Sequence, residues 1–123
     1  MKPIVLGLVT EIDRSELKQK LDHPKKLVLV EALAEDEFHK VHLPGAINIP
    51  ANKIRSQALE QMPKKDVEVI VYGASPLCNA SDQAAEELHA MGYSNVRRYV
   101  GGKKDWIEAG LPVVREGEQK VAA

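Results

Sequence analysis

The sequence contains a single cysteine, Cys78. It stands in the stretch Gly73-Ala74-Ser75-Pro76-Leu77-Cys78-Asn79-Ala80, with an apolar run before it and a patterned segment after it. The run Val67-Glu68-Val69-Ile70-Val71-Tyr72 is rich in β-branched residues and reads as a strand. Asn79 or Ser81 is placed to cap a helix with Ala84, Ala85, Leu88 and Met91 as its apolar stripe and Gly92 as its stop. A loop leading into a helix offers unpaired backbone N–H groups and the positive end of a dipole. Such a cradle suits anions, and thiols near helix amino ends form the nucleophilic thiolate more readily than free ones. Cys78 is therefore the candidate nucleophile. Gly73, Ala74, Ser75, Leu77, Asn79, Ala80 and Ser81 are the candidate anion- and substrate-binding loop. The plainer alternative is a lone thiol buried as a small hydrophobe. No histidine lies in this loop, so a local cysteine–histidine pair has no support.

The other chemistry-bearing residues read more simply. His42 adjoins the turn Leu43-Pro44-Gly45 and is expected to fix it by hydrogen bonding. His23, His39 and His89 make no metal spacing with it, so no metal is expected, and no other cofactor is implied. One cysteine excludes a disulfide framework and the multi-cysteine zinc and iron–sulfur patterns. Arg97, Arg98, Lys103 and Lys104 form a late basic stretch, expected mainly as a solvated face and secondarily as a supplement to the anion site. Trp106 is expected to anchor the last helix in the core. Gly45, Gly101 and Gly102 are expected to meet backbone requirements.

The elements that must position these residues alternate along the chain. Residues 4–12 read as a first strand or an arm into one. Asp13 then caps a helix with Glu16 three positions on and Leu17 and Leu21 on one face, and His23-Pro24 stops it. Leu27-Val28-Leu29-Val30 is an apolar run of the kind buried on both faces of a parallel sheet. Residues 35–40 form a short helical turn, 46–50 a short strand ended by proline, and 54–62 a helix stopped by Pro63. Residues 95–100 read as a last strand and 103–109 as a last helix stopped by Gly110. The tail from Arg115 is polar and expected to fray. Alternation of this kind implies an α/β fold, with about five mostly parallel strands and helices on both faces.

Length and composition agree. A chain of 123 residues, 44% hydrophobic and 28% charged, suits one domain over 1–123 with a core over about 12–114 and a polar tail over 115–123. The net charge of −1, from 17 basic and 18 acidic residues, argues against nucleic-acid or acidic-membrane partners. Aromatic content of 4% argues against a base-stacking surface. The apolar run near Met1 is too short to span a membrane and lacks a cleavage site, so a cytoplasmic location is expected.

Several stretches together resemble the rhodanese-like family. His42-Leu43-Pro44-Gly45-Ala46-Ile47-Asn48-Ile49-Pro50 resembles its "GHIPGAINIP" signature. Val69-Ile70-Val71-Tyr72, a loop, and Ala84-Ala85-Glu86-Glu87-Leu88 resemble its active-site strand, loop and helix. Gly92-Tyr93-Ser94-Asn95-Val96 and the stretch from Gly101-Gly102 through Trp106 to Gly110-Leu111-Pro112 resemble its closing "GGxxxW…GLP" pattern. The likeness runs from about residue 12 to 114. It implies a sulfurtransferase that moves sulfane sulfur from thiosulfate or a persulfide to a thiol or cyanide through a cysteine persulfide. The implied partners are a small sulfur donor and acceptor, or a protein thiol as acceptor. The family's cysteine usually follows the strand's tyrosine directly, where this chain has Gly73. The loop is longer than usual and carries no arginine, which also speaks against a phosphatase of related fold. Leu33 stands where the family commonly has the arginine of an Asp-x-Arg strand end, while Glu31 keeps an acid. Aligned on the helix, Ser81 takes the family's serine position and Cys78 falls inside the cradle. The alternative reading is a weak or inactive rhodanese-like binding or regulatory module, which Gly73 favours.

Overall fold

The computed structural model describes residues 9–23 and 26–115. Strand β1 (Val9–Ile12) leads directly into helix α1 (Arg14–Asp22). Asp13 caps that helix, its carboxylate accepting the Glu16 N–H at 2.8 Å. Strand β2 (Leu27–Glu31) is followed by α2 (Glu35–Lys40) and two short strands, β3 (Val41–His42) and β4 (Ile47–Asn48). A 3-10 turn precedes α3 (Ile54–Gln61). Then come β5 (Glu68–Tyr72), α4 (Ala80–Ala90), β6 (Asn95–Tyr99), α5 (Gly102–Glu108) and β7 (Val114–Arg115).

Five strands form one parallel sheet in the order β1-β6-β5-β2-β4. β5 is central, as its composition requires: Val69, Ile70, Val71 and Tyr72 are fully buried. Alternate residues of a strand face opposite sides, and β5 feeds both layers of the core. Val69 and Val71 pack with Ile54, Ala58, Ala84 and Leu88 of α3 and α4. Ile70 and Tyr72 pack with Leu17 of α1 and Trp106 of α5. Helices therefore cover both faces, and Trp106 is the expected anchor, its indole N–H donating to the Pro112 carbonyl at 2.7 Å.

Some boundaries differ from the sequence reading. The strand expected over 46–50 shrinks to Ile47–Asn48: its last ladder bond is that of the Ile49 N–H to the Glu31 carbonyl at 3.1 Å, and Pro50 has no N–H to continue it. β6 is not the last strand, since β7 pairs antiparallel with β3. Arg115 belongs to that strand. Residues 4–8 of the expected first strand, Pro24 and the tail over 116–123 lie outside the described residues.

Candidate active site

At its carboxyl end β5 opens into the loop 73–79, which leads into α4. Ser75 shapes this loop. Its carbonyl accepts the Cys78 N–H at 3.0 Å, and its hydroxyl accepts the Leu77 N–H at 3.2 Å. Serine bonded to the backbone two residues on is a standard way to hold a turn. The turn folds Cys78 back over the start of the loop. Its Sγ lies 3.4 Å from where a Cβ on Gly73 would stand, and the Ser81 amide nitrogen lies 3.6 Å from the same point. The thiol thus fills the space into which a side chain at position 73 would project. Cys78 is half-buried and unbridged.

The loop carbonyls are occupied elsewhere. Gly73 and Ala74 accept the N–H groups of Lys103 and Lys104 at 2.9 and 2.8 Å, and Asn79 accepts that of Gln83 at 3.0 Å. First-turn helix amides have no acceptor inside their own helix. In α4 these include the N–H group of Ser81, whose nitrogen stands 3.6 Å from the Cβ position of Gly73. Not every expected loop residue joins in. The Leu77 and Cys78 amides are engaged by Ser75, and the Leu77 side chain is 96% exposed at the tip. Asn79 occupies the cap position without a side-chain cap bond. Ser81 lies inside the helix rather than capping it, and its hydroxyl accepts from Arg98 Nε at 3.2 Å. The structure brings Gly73, Cys78 and Ser81 together and leaves Leu77 at the rim.

The basic stretch is not a solvated face. Arg97 lies against Glu16 at 2.7 Å and the Glu11 carbonyl at 2.9 Å. Arg98 pairs with Asp82 at 2.8 Å. Lys103 is buried, and Lys104 alone of the four is largely in solvent. In this chain the sheet supplies a carboxylate to each cation that packs against it. His42 does not hold the turn as expected: it bonds back to α2, with Nδ1 2.9 Å from the Phe38 carbonyl and its ring stacked on Phe38 at 3.9 Å, while the turn is closed by the Ala46 N–H on the Leu43 carbonyl at 3.2 Å. Gly102 has φ +71, whereas Gly101 lies at φ −59 and is kept small by Asp105 instead, 2.7 Å from where its Cβ would be.

The sequence reading missed a network beneath the loop. Glu31, at the end of β2, is fully buried. One carboxylate oxygen accepts the Tyr72 hydroxyl at 2.7 Å and the other accepts Lys103 Nζ at 2.8 Å. The Tyr72 oxygen accepts the Leu43 N–H at 3.1 Å, and Lys103 Nζ also donates to the Glu37 carbonyl at 3.0 Å. Burial raises the Glu31 carboxyl above the ordinary glutamate range, against the opposing pull of Lys103 and Tyr72. Burial and the facing carboxylate push the Tyr72 phenol up. The available signal was an acid closing an apolar strand, Glu31, in register with a tyrosine closing the next, Tyr72.

A parallel sheet with helices on both faces, and a strand–loop–helix cradle at the carboxyl end of its central strand, defines a class of α/β domains that bind at that edge. The chain matches the rhodanese-like domain family over residues 13–109 and belongs to it. It is 32% identical over 107 residues to a sulfurtransferase of Allochromatium vinosum, a match covering 87% of this chain and 96% of that one. It is 35% identical over 79 residues to the thiosulfate sulfurtransferase PspE of Escherichia coli, covering 62% of this chain and 70% of PspE. The crystal structure of the BH2092 protein from Bacillus halodurans superposes with a TM-score of 0.82 at 25% identity, covering 90% of this chain and 80% of that one. Other curated relatives are longer, and the chain spans 51% of one and 27% of another. Among the described residues, no helix is long and apolar enough to cross a membrane.

Proposed function

We propose that this chain is a sulfurtransferase whose sulfur carrier is Cys78. One observation carries the reading: Cys78 Sγ stands 3.4 Å from the Cβ position of Gly73, the residue directly after the central strand. The thiol reaches that place from the far end of the loop. In the first step the Cys78 thiolate attacks the outer sulfur of thiosulfate, the S–S bond of the donor breaks, and sulfite leaves with the electron pair. The product is Cys78–S–S⁻. In the second step a thiolate or cyanide attacks the outer sulfur and the Cys78 thiolate is released. The first-turn amides of α4 face the charge of the persulfide, as oriented N–H donors face an oxyanion. The names of the sulfurtransferase and thiosulfate sulfurtransferase relatives support this class of reaction. The reading takes the chain as one domain acting in the cytoplasm on a small sulfur donor, with a small or protein-borne thiol as acceptor.

The test is intact mass after incubation with thiosulfate. The parent chain should gain one sulfur, about 32 Da, as a persulfide cap on its thiol. Cys78→Ser should gain nothing and turn over nothing. A parent chain that folds but stays unloaded would overturn the assignment and favour a binding module without turnover.

A further inference from the structure

The buried polar or charged residues among those described are Glu31, Ser81 and Lys103, and all three border the loop that carries Cys78. Ser81 lies in the first turn beyond it. Glu31 and Lys103 lie beneath it and face each other at 2.8 Å. Elsewhere the core is apolar. A buried ion pair is a weak device for stability, since well-packed apolar residues of similar volume often do as well or better. Its location therefore calls for a geometric explanation.

Residue 103 is attached on two sides. Its backbone N–H holds the Gly73 carbonyl at 2.9 Å, and the next amide holds the Ala74 carbonyl at 2.8 Å. Its side chain crosses to Glu31 at the end of β2 and to the Glu37 carbonyl in α2. Glu31 in turn holds the hydroxyl of Tyr72, the residue before Gly73. The contact between α5 and the loop is tight, because a Cβ on Gly102 would stand 2.8 Å from both the Gly73 oxygen and the Ser75 nitrogen. A shift of the α5 amino end would thus break a buried ion pair and release the first two loop carbonyls together.

We infer that Lys103 is a positioning residue: its ammonium, locked by Glu31, fixes the amino end of α5 so that its amides hold the start of the loop and Cys78 stays aligned over Gly73. The inference rests on the reading of Cys78 as the sulfur carrier. Lys103 touches neither donor nor acceptor and acts through the backbone of residues 73 and 74.

The decisive variant is Glu31→Gln with Lys103→Met in the full chain. It removes both charges together, leaves no buried charge unpaired, and keeps an acceptor for Tyr72. Lys103→Met and Lys103→Arg are measured beside it, at a temperature where circular dichroism shows each folded. Thiosulfate:cyanide kinetics and hydrogen exchange of the residue 104 amide are the readouts. The double variant should lose on the order of a hundredfold in kcat, the factor that goes with a misplacement of about 1 Å, with KM little changed. Protection of the residue 104 amide should be lost, and Lys103→Arg should keep more of the rate than Lys103→Met. A folded double variant with parental kcat, or with its residue 104 amide still protected, would overturn the inference. If the parent chain takes up no sulfur, the reading of Cys78 fails, and amide exchange alone then decides whether Lys103 fixes the loop.

Discussion

Helices α1 and α4 both start at the carboxyl edge of the parallel sheet, yet their amino ends are built differently. α1 follows β1 with one residue between them, and that residue, Asp13, accepts the Glu16 N–H. Glu16 is held in turn by Arg97, whose guanidinium keeps its carboxyl below the ordinary glutamate range. α4 follows β5 only after the loop 73–79, and Asn79 at its cap position makes no side-chain cap bond. The two ends share a dipole and a place in the fold. They differ in whether a side chain caps a first-turn amide: Asp13 caps that of Glu16 in α1, and no side chain caps α4. The thiol lies at the uncapped end.

The largest effect should come from Gly73→Cys, which places a second thiol in the uncapped cradle. The new Cβ would stand 3.8 Å from that of Cys78, at the mean separation of disulfide-linked residues. The backbone at 73 does not require positive φ, so the side chain is accommodated. The oxidised variant should weigh about 2 Da less than its reduced form, take up no sulfur, and recover only with reductant. Two thiols that both remain open to alkylation after mild oxidation would show that Cys78 does not stand over Gly73.

A smaller effect should follow when the amino end of α4 is given the charge that α1 has. Asn79→Asp keeps the side chain's shape and sets a negative charge at that end against an anionic donor. Loading from thiosulfate should slow roughly tenfold, equivalent to about 1.4 kcal/mol of repulsion. Stability should stay within roughly 0.5 kcal/mol of the parent. Unchanged loading kinetics would mean that the α4 amides do not face the incoming donor.

The converse change, Asp13→Ala, opens the α1 end. Urea unfolding should show a loss of about 1 kcal/mol, the usual cost of removing an N-cap. Sulfur loading should be untouched. A drop in loading comparable to that of the loop variants would break the distinction between the two helix ends.

Much of this arrangement was legible in the sequence. The β-branched run ending at Tyr72 has one stable home, the middle of a parallel sheet, and a helix pattern after a short loop fixes where the cradle must lie. Cys78 was visible as its thiol. Its return to Gly73 was not, because that depends on two weak bonds made by Ser75, a residue whose type suits many turns. The burial of Lys103 is not legible in the sequence, because lysine is rarely buried without a partner. Its partner Glu31 lies far away in the chain, and sequence spacing carries no signal for such a pair. The pairing of β3 with β7 escaped for a different reason: strands of two residues are too short to show a period.

The brevity of β4 has a consequence for the molecule among its neighbours. β4 closes one side of the sheet with only Ile47 and Asn48, and Pro50 follows with no N–H to offer. Asn48 folds its amide back onto the carbonyls of Glu31 and Leu33 at 3.1 and 2.8 Å. A foreign strand approaching this edge finds almost no ladder to extend. Short, proline-ended edges of this kind resist edge-to-edge aggregation, so on this side the sheet is guarded against polymerising with its own copies.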